Sequence, residues 1–166
     1  QDTCLFLRKL GVKISGIGTS TLVVQGVKSI NKRVRYSPAE DPLEAMLFIA
    51  TAAVTNSSIT VRRCAIDFLE LELLKLRKMG LRFDIGPVYL AKNGHTRLAD
   101  ITTFKHGLLK SLDDKISPMP YPGINMDNLP FFVPICSLAN GETLIHDWPY
   151  EDRAIYFTEL NKLGGK

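Results

Sequence analysis

The sequence predicts an α/β fold made of a repeated strand–helix–strand–helix–strand–strand (βαβαββ) unit, present here in incomplete form. Two self-similarities and their common offset predict it. Leu7-Arg8-Lys9-Leu10-Gly11 returns as Leu76-Arg77-Lys78-Met79-Gly80 and as Leu160-Asn161-Lys162-Leu163-Gly164. Each copy reads as the last turn of a helix, carrying a cation and closed by a left-handed glycine. The second similarity opens helices. Asp41-Pro42-Leu43-Glu44 leads into the apolar run Ala45–Val54, and Asp127-Asn128-Leu129-Pro130 leads into Phe131–Leu138. In both, an Asp can cap free amides and a Pro is tolerated in the first turn. The two Asp residues are 86 positions apart and Gly80 and Gly164 are 84 apart. That shared register is too long for a helical solenoid.

The elements follow in order. Thr3–Val27 reads as a partial unit, a helix ending at Gly11 and a strand from Lys13-Ile14. The complete unit takes Arg33–Ser37 as its first strand, Leu43–Asn56 as a helix and Ser58–Arg63 as a strand. Asp67–Met79, with Asp67 and Glu70 as a capping pair, is its second helix, and Arg82–Ile85 and Val88–Ala91 are its closing strands. Both apolar helices are hydrophobic nearly all round and are expected to be buried on most faces. Pro134 should kink or shorten the second one. The last unit begins near Asp114–Pro118 and stops at Lys166, before its closing strands. The chain opens on Gln1-Asp2-Thr3 without a Met, so it is expected to be cut at both ends.

Composition excludes several classes. With 166 residues, 45% hydrophobic and 23% charged, the chain has the make-up of an ordinary globular protein with one good core. The net charge of +4 is mild. Lys28, Lys32, Arg33 and Arg35 form a basic run that suits a solvated strand edge better than a polyanion site. No nucleic-acid signature accompanies it. The longest apolar run, Ala45–Val54, is half of the roughly twenty residues a membrane span needs. Cys4, Cys64 and Cys136 are too few and too scattered for a disulfide framework or a zinc site, and point to a reduced, cytoplasmic setting. His95 and His106 read as surface residues, and His146 as structural.

Two segments carry candidate chemistry. Ser117-Pro118-Met119-Pro120-Tyr121-Pro122-Gly123 is stiffened by three alternate prolines, with Gly123 allowing a sharp turn, and delivers Asp127 to a helix start. Asp127 then either caps that helix, as Asp41 would in the other unit, or serves as a fixed general base; the roles are compatible. The other segment is Asp147-Trp148-Pro149-Tyr150-Glu151-Asp152-Arg153. An Arg at a helix start opposes the helix dipole, so it either pairs with Glu151 or Asp152 or reaches an anionic ligand.

Tyr121-Pro122-Gly123-Ile124-Asn125-Met126-Asp127, Glu151-Asp152-Arg153 and Glu159-Leu160-Asn161-Lys162-Leu163-Gly164 resemble segments of the UDP-N-acetylglucosamine 1-carboxyvinyltransferase family. So does Leu10-Gly11-Val12-Lys13-Ile14-Ser15-Gly16-Ile17-Gly18-Thr19. The ordered set spans nearly the whole chain. The resemblance implies an enolpyruvate transferase-like fold, two inside-out α/β barrels of three units each with substrates in the cleft between them. Residues 1–36 would end one lobe, and 37–166 would supply part of the other, one complete and one truncated unit. It implies transfer of the enolpyruvyl group of phosphoenolpyruvate to UDP-N-acetylglucosamine in peptidoglycan synthesis, with no metal or organic cofactor. Asp127 would be the catalytic carboxylate, and Arg153 a nearby anion-facing cation. Pro149 and Tyr150 would contact the amino sugar, and Asp41 would be a further substrate-binding position at the domain crossover.

Departures qualify this. Asp41-Pro42-Leu43-Glu44 lacks the family's Arg at the crossover, and Asn125 and Met126 replace Pro and Thr beside Asp127. The family's N-terminal Lys-Asn pair, reactive-Cys loop and C-terminal Arg residues have no counterpart, so the isolated chain is expected to be inactive. The alternatives are a 5-enolpyruvylshikimate-3-phosphate synthase-like enzyme, and a non-catalytic paralogue acting as a binding module.

Overall fold

The computed structural model describes residues 1–164. The chain divides into two units, Gln1–Ala39 with Leu90–Thr96, and Glu40–Tyr89 with Arg97–Lys166.

In the first unit, helix α1 (Asp2–Lys9) is followed by Gly11 at φ +104°, a conformation that only glycine adopts without penalty. The chain then enters strand β1 (Lys13–Ser15), paired antiparallel with β2 (Val23–Gln25) so that Ile14 faces Val24. The expected strand Arg33–Ser37 is instead irregular. Its bonds go to α1 rather than to a ladder. Lys9 donates to the Arg35 carbonyl at 2.8 Å, the Tyr36 hydroxyl binds the Asp2 carboxylate, and the Ala39 amide donates to Asp2 at 2.7 Å. Tyr36 also packs edge-on against Phe6, ring centroids 5.7 Å apart. The basic run thus lies on exposed coil, not on a strand edge.

The second unit holds the main core. Helix α2 (Pro42–Thr55) starts as expected: Asp41 accepts from the Leu43 amide at 2.8 Å, and Pro42 sits in the first turn. Met46 and Ile49 on α2 are fully buried, but Leu47 and Phe48 are about half exposed, so the helix is covered on one side only. Strand β3 (Thr60–Ala65) carries a bulge at residues 62–63, where Arg63 is held at φ +61°. A 3-10 turn, Ile66–Phe68, leads to α3 (Glu70–Met79), closed by Gly80 at φ +101°. The Asp67–Glu70 capping pair does not form. Asp67 accepts from the Arg97 guanidinium at 2.9 Å and Glu70 lies 3.7 Å from it, so both acids hold a cation.

Strand β4 (Arg82–Ile85) follows α3 as predicted, and β5 (Tyr89–Leu90) is a two-residue remnant of the expected Val88–Ala91. The longest strand, β6 (Arg97–Phe104), was not anticipated. It is the centre of an antiparallel sheet ordered β3-β6-β4, pairing Val61 with Ile101 on one side and Phe83 with Thr103 on the other. Its alternating burial marks an amphipathic strand.

Two isolated parallel bridges, Lys110 with Asn140 and Ile116 with Ile145, replace the strands expected in the last unit. Between them lies α4 (Leu129–Leu138), with Leu129, Phe132 and Ile135 fully buried. It runs ten residues against fourteen for α2, in keeping with Pro134, whose ring nitrogen cannot donate to the preceding turn. The short α5 (Tyr156–Lys162) precedes Gly164, again at positive φ. The architecture is thus mixed α/β, and among the described residues no sheet closes into a barrel. His106 corrects its surface assignment: it is half-buried, its Nε2 lying 3.0 Å from the Ala53 carbonyl.

Candidate functional site

The proline-rich segment closes on itself. Gly123 donates to the Pro120 carbonyl at 2.8 Å, and Met119 donates to Ile124 at 3.1 Å. A Cβ at residue 123 would lie 2.3 Å from Met119 Cβ and 2.9 Å from two backbone oxygens, so only glycine fits there. The turn hands the chain to a 3-10 segment, Met126–Asn128, capped by Asn125, whose side chain accepts from the Asp127 amide at 3.0 Å.

Asp127 itself therefore caps nothing. Its carboxylate, 47% exposed, turns outward and accepts from Arg153 at 2.9 Å. The same guanidinium donates to the Met126 carbonyl at 2.9 Å and to Asp147 at 3.2 Å. Neither Glu151 nor Asp152 is its partner; Asp152 takes φ +56° and opens the 3-10 turn Arg153–Ile155. The Asp147 side chain is fully buried. One of its oxygens accepts from Arg153 and from the Tyr156 hydroxyl at 2.7 Å, and the other is buried without a partner among the described residues. Burial works to lower the Arg153 pKa, but hydrogen bonding and charge from Asp127 and Asp147 outweigh it and the value rises. Burial, then Asp147, pushes the Tyr156 hydroxyl up. The cation is fixed in place between one buried and one accessible carboxylate.

Beside Asn125 and Met126 lies an apolar pocket of about 390 Å³ lined by Phe68, Met119, Tyr121, Trp148 and Pro149 among others. Trp148 is braced by a 3.2 Å bond from its indole N–H to the Pro118 carbonyl. Of the five residues expected from sequence, Asp127 and Arg153 are in direct contact, and Pro149 lines the pocket next to them. Tyr150, 61% exposed, lines a separate, more open depression with Arg153 and Asp147. Asp41 lines neither hollow and is occupied as the α2 cap. Among the described residues no group of three His, Cys, Asp or Glu side chains is disposed to hold a metal. No helix of the described residues is long and apolar enough to cross a membrane.

Sequence reasoning missed Glu72 and Tyr156, and named Asp147 only as the first residue of its second candidate segment. Glu72 did leave a signal. It stands three after Leu69, four before Leu76 and seven before Met79, on the core stripe of α3, where a carboxylate is out of place. It is 1% exposed, and one of its oxygens accepts from the Asn128 side chain at 2.8 Å and the Asn125 amide at 3.2 Å. Burial pushes its pKa up, against the hydrogen bond from Asn128. Asp147 and Tyr156 sit in different local structures and left no comparable periodicity.

The sequence pattern of the EPSP synthase (3-phosphoshikimate 1-carboxyvinyltransferase) family matches residues 1–166. Similar proteins include UDP-N-acetylglucosamine 1-carboxyvinyltransferases of Vibrio atlanticus, 31% identical over 99% of this chain, and Thermodesulfovibrio yellowstonii, 30% over 98%. That of Sulfurovum sp. is 31% identical over 97%. The chain spans about 36% of the length of the first two relatives and 35% of the third.

Proposed function

The chain belongs to the EPSP synthase family of enolpyruvyl transferases, and from that premise we propose that it is part of an enzyme acting on UDP-N-acetylglucosamine. The acceptor oxygen bonds to C2 of phosphoenolpyruvate as its C3 methylene takes a proton; the C2–O bond to phosphate then breaks as C3 gives a proton back, and the sugar retains an enolpyruvyl ether. Residues 1–36 end one lobe and 37–166 form part of a second, each lobe an inside-out α/β barrel, and the reaction serves peptidoglycan synthesis in the cytoplasm.

Asp127 is the group to orient the acceptor hydroxyl and take its proton as the adduct forms. The observation that carries this is that its carboxylate is half exposed and held by Arg153, beside an apolar pocket. A carboxylate serving only as a cap would point back at helix amides. Arg153 restrains the carboxylate and adds positive charge where phosphoenolpyruvate brings negative charge. Pro149 and Tyr150 flank the acceptor. Asp41, engaged in capping, contributes through the placement of α2.

A shikimate phosphate acceptor is the second reading, favoured by the description of the matched family. Phosphate release from phosphoenolpyruvate, measured on the gene product carrying this chain with each acceptor in turn, separates the two. Asp127→Ala should lower turnover with the preferred acceptor by about 10²-fold or more while leaving the circular dichroism spectrum unchanged. Full turnover in that variant would remove Asp127 from the chemistry.

A further inference from the structure

We propose that Glu72 is a positioning residue for Asp127, an anchor in the core that sets where the reactive carboxylate points; this rests on the role given to Asp127 above. The connection runs through short, directed contacts. Glu72 lies on the buried face of α3, and a single one of its oxygens accepts from both the Asn125 amide and the Asn128 side chain. These two residues bracket Asp127. Asn125 passes the constraint on, since its own side chain accepts from the Asp127 amide at 3.0 Å. Asn128 is 0% exposed and its side-chain oxygen has no partner among the described residues, where the bond to Glu72 is the polar contact that its side chain makes.

A carboxylate in the core is costly unless it is well hydrogen-bonded, and leucine would fill the same stripe without that cost. A purely structural need is therefore poorly met by glutamate. A need for an acceptor at a fixed depth, reaching both flanks of one turn, is met well. From the other side the turn is held by Arg153 through the Met126 carbonyl and Asp127. The turn is pinned from inside by an acceptor and from outside by a cation, leaving Asp127 few directions to take. Geometry of this kind matters because misplacing a reacting group by about 1 Å can cost on the order of 10²-fold in rate.

Three variants of the gene product test this. Glu72→Leu removes the acceptor. Glu72→Asp keeps the carboxyl group but withdraws it by one methylene. Glu72→Gln retains an oxygen at the same reach. We expect Leu and Asp to lower kcat by about 10- to 100-fold with KM for phosphoenolpyruvate unchanged, and Gln to stay within a few-fold of wild type. Wild-type kcat in the Asp variant, or an equal loss in all three, overturns the proposal. Hydrogen exchange reads the anchoring without activity: the Asp variant should speed exchange at the Asn125 and Asp127 amides about tenfold or more while β6 amides hold. Unchanged exchange at those two amides overturns the anchor. If the wild type transfers enolpyruvyl to neither acceptor, the functional reading fails by itself, and the exchange arm still decides whether Glu72 holds the turn.

Discussion

Replacing Arg153 with methionine strips the buried Asp147 carboxylate of its cation and, among the described residues, leaves the Tyr156 hydroxyl as the one group bonded to its side chain. Breaking a buried ion pair from one side costs about 3–5 kcal/mol, mostly for the charge left behind. Arg153 keeps 21% of its side chain exposed, so water recovers part of that loss. Its second pair, with the half-exposed Asp127, adds little, as accessible pairs contribute about 0–1 kcal/mol. Roughly 2–3 kcal/mol is therefore expected for Arg153→Met. The measurement is urea unfolding of the wild type, Arg153→Met, Asp147→Leu and the double variant. Because removing either partner strands the other, the double variant should lose less than the sum of the singles by about 2 kcal/mol. Additivity within about 0.5 kcal/mol would refute the reasoning that Asp147 and Arg153 act as one buried unit.

Other perturbations test neighbouring features. Gly123→Ala forces a methyl against backbone oxygens 2.9 Å away and should cost about 1–3 kcal/mol in urea unfolding; an unchanged midpoint would mean the turn has room to yield. Glu72 is pushed up by burial, so the folded state keeps a proton that the unfolded chain has released. Stability then falls as pH rises from about 4.3 toward the raised native value, and Glu72→Gln should remove that slope. Parallel stability–pH curves for the two proteins would contradict this. Burial raises the Cys64 thiol to about 11 and leaves it 1% exposed, so at pH 8 iodoacetamide should label it only after unfolding, as mass mapping of the adducts would reveal.

Much of the fold could be read from punctuation. Asp41 with Pro42 and the glycines at 11, 80 and 164 act through local backbone geometry, and each does locally what its residue type suggests. Reading failed where distant parts of the chain decide. Arg33–Ser37 has strand-like composition, but α1 claims its Tyr36 and its backbone. Arg97–Phe104 looks unremarkable alone, with two Thr and an Asp, and becomes a strand because β3 and β4 both need a partner. The site divides the same way. Arg153 stood out as a cation at a helix start, and Asp127 as the carboxylate delivered by the proline-stiffened segment. The resemblance in the first-turn sequences of α2 and α4 then misled, because Asp41 caps α2 whereas α4 starts without a side-chain cap and Asn125, not Asp127, caps the 3-10 turn before it. Glu72 was detectable as a polar break in an apolar stripe. Asp147 became interesting only once its surroundings were known.

The position of β6 has a consequence for how the chain matures. Thr60 pairs with Thr102, forty-two residues on, so β3 finds its partner only across a long loop. A nascent chain that has not yet delivered Arg97 holds β3, β4 and β5 with raw edges and without the central strand that would join them. Such a species is open to pairing with its own copies, and closing so long a loop is slower than folding a local turn. Breakage in this stretch would undo both flanking strands at once, which makes residues 97–104 the clasp on which the sheet depends.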